Sequence, residues 1–178
     1  MRKFYFKTKV MSDFIYEFKK NAVFRIKEGQ RMVHLAFEKT KEEHIWKLPI
    51  SNGISLGNQI LHINGNMTQY IISSLGENID YRDRDKEFEI NKKYNKKELL
   101  KKLDATIISS LNVIDSAQSS NYLKLREVQG YKLSGIGVLL HAVEHFSYHV
   151  GQIAFWVKFL TKTDLEFYKD QDLNQKNN

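Results

Sequence analysis

Helical periodicity combined with a near absence of proline is the strongest constraint on how this chain folds. Apolar residues recur three and four positions apart through long segments, and the 178 residues include one proline, Pro49. Proline inside a helix removes a hydrogen bond and clashes with the preceding turn, so its scarcity leaves long helices open almost everywhere. From about Val10 to Lys39, the residues Phe14, Ile15, Phe18, Ala22, Ile26, Val33 and Phe37 form one such row. Gly29 lies inside it, which costs about 1 kcal/mol against alanine without ending the helix. A second segment, from about Leu56 to Leu75, carries Ile60, Ile63, Met67, Tyr70, Ile71 and Ser74 on one side. Ser55 is placed to cap its start and Gly76 to stop it. A third, from about Lys96 to Ala117, has the stripe Leu100, Leu103, Ile107, Leu111 and Ile114. A fourth, capped by Ser134, runs to about Thr161.

Four amphipathic segments without a strong strand pattern predict an all-α four-helix bundle. The connection between the second and third is about twenty residues. At about 3.3 Å per residue it can return along a helix of about 30 Å. The second and third helices can therefore run parallel, which predicts an up-down-down-up order. The charged part of that connection, "ENIDYRDRDKEFEINKKYN", reads as a solvated loop held by local ion pairs. Residues 1–165 are expected to form one bundle domain, with 166–178 a polar tail that frays over "KDQDLNQKNN".

Composition narrows the chemistry. A hydrophobic share of 42% is that of a globular chain. There is no cysteine, so thiolate metal sites, disulfides and a nucleophilic cysteine are excluded. The N-terminus intersperses its apolar residues with lysines, unlike a signal peptide, and no stretch has the length of a membrane span. A cytoplasmic location is expected. The net charge is +7, which raises a nucleic-acid reading. The lysine group 91–102 is the place to look for it. Aromatics are scarce there, and the spacing serves the solvated start of the third helix.

The functional signal is in "LLHAVEHFSYHVGQI", residues 139–153, which holds three of the six histidines. His141, His145 and His149 fall at four-residue steps, near one face of the fourth helix. Several imidazoles facing a core need partners for all their nitrogens and repel one another when protonated; a shared metal ion resolves both difficulties. One helix supplies two such ligands, and His62, in "ILHINGNMTQY", is the candidate for the third if the second and fourth helices are neighbours. The pairing stays open at this level. "HAVEH" matches the inverted zinc-peptidase pattern, with His141 and His145 as ligands and Glu144 as general base. That reading needs a downstream carboxylate ligand, and the only later glutamate is Glu166.

"HINGNM" in the second helix, "YRDRDKEF" in the following loop and "EHFSYHVGQIAFW" in the fourth together resemble the DinB-like superfamily, and more narrowly an uncharacterised branch of it. The resemblance covers the chain except its last dozen residues. It implies an up-down-down-up four-helix bundle, often a homodimer, with one divalent ion, nickel or zinc, held by three histidines. It places those ligands at His62, His145 and His149, leaving His141 beside the site or at its entrance. It further implies a metal-dependent enzyme acting on a small molecule, either a hydrolase or a transferase using a low-molecular-weight thiol cosubstrate. A metal-binding protein without turnover and a basic nucleic-acid-binding bundle are the alternatives. Asn66 and Gln152 are expected to hydrogen-bond an imidazole or a bound ligand, with Tyr148 directed at a neighbouring helix or partner. Gly65 is expected to allow close helix approach. No catalytic residue is assigned.

Overall fold

The computed structural model describes residues 2–176, with side chains from Val10 onward. Helix α1 spans Arg2–Lys39, eight residues longer at its start than the apolar row suggests. Its core-facing residues are Ile15, Ala22, Ile26, Val33, Ala36 and Phe37. Phe14, expected among them, is exposed.

A short 3-10 turn at Glu42–His44 leads into the Pro49 connection. Trp46 ties that connection to the far side of the bundle by donating its indole N–H to the Tyr94 carbonyl at 2.9 Å. Helix α2 spans Leu56–Met67 and continues as a π-helical stretch, Thr68–Leu75. Ser55 caps it as expected, its hydroxyl accepting from the Asn58 N–H at 3.1 Å. The chain leaves it at Gly76, whose N–H reaches back to the Ile71 carbonyl at 3.0 Å.

Helix α3 spans Lys96–Ser116 and opens with a reciprocal cap between Asn95 and Glu98. Its buried row is Leu99, Leu103, Ile107, Ser110 and Ile114. Leu99 thus takes the core position expected for Leu100, which is half-buried. The next connection is more structured than expected. It forms a short helix α4, Ser119–Leu123, and a hairpin of β1, Leu125–Val128, with β2, Tyr131–Ser134. The strands pair antiparallel, Val128 opposite Tyr131, around a two-residue turn in which Gln129 and Gly130 both have positive φ, 50° and 78°. Helix α5, Gly135–Thr161, follows directly, with the Ser134 hydroxyl accepting from the Gly137 N–H at 3.2 Å.

Contacts between the helix ends establish the order. Lys96 at the start of α3 donates to the Phe37 and Thr40 carbonyls at the end of α1, so these helices are antiparallel. The connections before α2 and before α3 meet at Trp46 and Tyr94, so α2 and α3 start at the same end and run parallel. Helix α5 begins against α4, near Phe18 of α1, and passes His62 only after Tyr70, so it runs parallel to α1 and opposite to α2. The bundle is up-down-down-up, as the long connection allowed. The lysines of 91–102 are mostly exposed at the head of α3, and Lys96 serves as the strap just described. Among the described residues no helix is long and apolar enough to cross a membrane.

The chain stays packed for several residues beyond α5. Leu165 is fully buried, and the Phe167 carbonyl accepts from Arg31 at 2.9 Å.

Candidate metal centre

Helices α2 and α5 lie side by side, and this adjacency brings distant histidines together. His62, His145 and His149 offer nitrogens that all lie within 4.8 Å of one another. Their ring centroids are 4.6–5.0 Å apart. The closest approach is between His62 Nε2 and His145 Nε2, at 3.0 Å. His62 and His149 are buried, whereas His145 is partly open to solvent.

The outer nitrogens of the two buried rings are engaged. His62 Nδ1 lies 2.7 Å from Glu87 Oε2. His149 Nδ1 lies 3.4 Å from Gln59 Oε1. A carboxylate or an amide oxygen only accepts, so each ring donates there, leaving its Nε2 lone pair for the cluster. Two bare lone pairs facing His145 cannot both be satisfied by its single neutral N–H. A cation at the common centre satisfies all three, so the donor set fits a divalent ion of the zinc class.

The electrostatics agree with unprotonated His145 and His149. Burial drives His145 down to about 3, reinforced by repulsion from His149, His62, His141 and Arg82. Burial, then His62, takes His149 to about 4, against a hydrogen bond to the Gln152 side chain that favours the charged form. The unfolded rings titrate near 6.5. Below that pH the unfolded chain binds more protons than the folded one, so stability falls as pH drops and levels off only below the folded values. In metal-free protein the urea midpoint is therefore expected to decline from pH 7 toward pH 4. Replacing His145 and His149 together by alanine should flatten that decline, and an unchanged profile in the double variant counts against the assignment.

The other expected residues lie around the cluster. His141 does not join the cluster; its ring stacks on Tyr70 at 4.2 Å, and its Nε2 meets the Asn66 amide at 3.5 Å. Burial again lowers its pKa, opposed by Glu144. Asn66 therefore supports His141 rather than His62. Gln152 acts on His149, but its Oε1 is buried without a well-formed hydrogen bond; Gln59 is the residue seated on Nδ1. Tyr148 is exposed, its ring edge against His149. In the inverted-peptidase reading, Glu144 would be the base, yet it is exposed, and Glu166 pairs instead with Lys39 at 3.4 Å.

Three residues of the site escaped the sequence reading: Gln59, Arg82 and Glu87. Glu87 and Arg82 come from the connection expected to be solvated. Their side chains are only 8% and 3% exposed. Arg82 Nε donates to Glu87 Oε1 at 2.7 Å and Nη2 to Oε2 at 2.8 Å. Its Nη1 donates to Gln69 Oε1 at 2.8 Å. Burial pushes the Glu87 carboxyl up, but the bonds from Arg82 and His62 outweigh it and hold the group below the ordinary carboxylate value. The usable signal was an acid and an arginine five apart beside Phe88, which packs on His62 at 5.0 Å.

Comparison with known proteins agrees with this architecture. Two crystal structures share the fold: a DinB-like protein, YjoA, from Bacillus subtilis, and a DinB-like protein from Bacillus cereus ATCC 10987. The first has a TM-score of 0.66 at 15% identity, covering 83% of this chain and 96% of its own. The second has a TM-score of 0.61 at 15% identity, covering 80% and 90%. No curated protein matches the chain. The family model described as "Protein of unknown function (DUF1572)" matches residues 13–169. A DinB-like bundle with its histidines gathered between α2 and α5 is thus the setting in which the match over nearly all of the folded chain is read, and the chain belongs to the DUF1572 family.

Proposed function

We propose that this protein is a metal-dependent enzyme that holds one divalent ion through His62, His145 and His149 and acts on a small molecule. The observation that carries this reading is the convergence of three imidazoles whose facing lone pairs outnumber the one N–H that His145 can offer them. Three neutral protein ligands leave coordination positions open, the arrangement of catalytic rather than structural ions. An ion held there supplies Lewis-acid polarisation of a substrate oxygen, or stabilisation of a substrate thiolate.

The chain's own contribution is positioning. His62 and His149 are fixed from behind by Glu87 and Gln59, and the partly open His145 gives the accessible side of the centre. His141, stacked on Tyr70 and held by Asn66, lies beside that side, with its ring centroid 5.7 Å from that of His145. It is the nearest imidazole free to hydrogen-bond a substrate. The resemblance implies either an S-transferase with a low-molecular-weight thiol as cosubstrate or a hydrolase. It also favours a homodimer, for which the exposed aromatics Tyr148, Phe155 and Phe159 of α5 form the natural contact.

Elemental analysis of protein purified without chelators, after growth with nickel and zinc, is expected to find about one ion per chain. A screen pairing low-molecular-weight thiols with electrophiles should then show turnover that a chelator abolishes. Protein that retains no ion, even after reconstitution, would sink the metal reading. Bound metal with no turnover in either the thiol or the hydrolase screen would favour a binding protein.

A further inference from the structure

The Arg82–Glu87 pair has a geometry that ordinary loop packing does not require. We infer that it is a tautomer lock: it holds the His62 ring with its proton on Nδ1, so that Nε2 is always presented bare to the centre, and Gly65 is the notch in α2 that seats the lock. The inference rests on the metal reading above for its purpose, but not for its geometry.

Three observations support it. First, Glu87 Oε2 stands 2.7 Å from His62 Nδ1, while both Glu87 oxygens accept from Arg82 in a two-pronged pair. Arg82 Nη2 also approaches His62 Nδ1 at 3.3 Å, but that is the longer contact, and this nitrogen already donates to Oε2 at 2.8 Å. The carboxylate therefore takes the imidazole proton, and Arg82 keeps the carboxylate in place.

Second, a Cβ at Gly65 would lie 1.7 Å from Glu87 Oε1 and 2.9 Å from Arg82 Nε. The close approach expected at Gly65 is real, but its occupant is a carboxylate from the loop and not another helix. No larger residue leaves the lock room.

Third, the loop is fastened along one stripe of α2. Asn58 donates to the Glu87 and Glu89 carbonyls at 2.9 and 2.8 Å. His62 and Gly65 follow at steps of four and three residues. Gln69, four further on in the π-helical stretch, accepts from Arg82. Such steps fall on one helix face. Glu87 and Arg82 are thus positioning residues, acting on the centre through His62.

Long-range proton–nitrogen NMR of the metal-free wild-type chain at pH 7.5 tests the lock directly. His62 is expected as the Nδ1–H tautomer. In Glu87→Gln the amide meets Arg82 with a donor in place of an acceptor, and His62 should become a mixture of tautomers. Zinc affinity should fall about 10–100-fold, the range for losing the partner of a ligating histidine. Gly65→Ala should do the same by expelling the carboxylate, although alanine is the better helix former. An Nε2–H tautomer in the wild type overturns the inference, and this readout needs no variant to fold. So does a Glu87→Gln protein with unchanged tautomer and zinc affinity within about twofold of wild type, far short of the expected loss. A wild type that takes up no zinc but shows the Nδ1–H tautomer, lost in Glu87→Gln, supports the lock and overturns the metal reading instead.

Discussion

Replacing His145 by alanine is expected to abolish stoichiometric metal binding. His145 is the only one of the three clustered imidazoles that is partly open, and its Nε2 stands 3.0 Å from that of His62. Removing it leaves two ligands on different helices and opens the centre to water. The loss should exceed the roughly 100-fold upper range that applies when only an outer hydrogen-bond partner is removed. His62→Ala should be as severe, because it also strands Glu87 and Arg82 without the ring they enclose. His141→Ala should leave stoichiometry unchanged, since its ring lies outside the cluster, against Tyr70 and Asn66. Isothermal titration with zinc, alongside metal content as purified, separates these outcomes. If His145→Ala binds zinc like the wild type while His141→Ala does not, the metal does not depend on His145 and the site is misassigned.

The largest stability effect is expected at Phe146. This side chain is 2% exposed, and its ring lies where a Cβ on Gly29 of α1 would come within 2.9 Å. The glycine that interrupts the first apolar row therefore admits an aromatic ring between α1 and α5. Truncating a buried phenylalanine to alanine costs about 3–5 kcal/mol, and in a chain of this size that lowers the melting temperature by on the order of 10 °C. Thermal unfolding followed by circular dichroism measures it. Zinc stoichiometry at 10 °C should survive, because His145 and His149 face α2 rather than α1. A shift of less than about 2 °C would mean that the α1–α5 seam is not packed as described.

The helices were legible because their periodicity is local. Ser55, Gly76 and Ser134 mark element ends through hydrogen bonds to residues three to five positions away, so the boundaries of α2 and α5 could be read in one dimension. Boundaries set by packing could not. Leu99 and Leu100 fit the α3 stripe almost equally well, and only the neighbouring helices select Leu99. The β1–β2 hairpin escaped for a related reason: two four-residue strands pair through a turn that needs positive φ at Gln129, a residue not diagnostic of such turns.

The site divides along the same line. Four-residue steps put His141, His145 and His149 near one face, with His62 as the candidate third ligand, and the resemblance chose His145 and His149 as its companions. What surrounds them depended on the return path of the loop after α2. That segment carries many charges and no period, which ordinarily describes a solvated connection. Its burial of Arg82 and Glu87 is possible only because each satisfies the other and His62 closes the set, a compensation among three side chains that no local pattern encodes.

From its residues alone, then, this protein was bound to form long amphipathic helices and to carry a row of imidazoles on the last of them, because both properties follow from spacing within a single helix. Which nitrogens converge, which proton each ring holds, and that a glycine in α2 makes room for a carboxylate were settled by the packing of α2, α5 and the loop between α2 and α3. Those are distances between residues far apart in the chain, and only the folded bundle sets them.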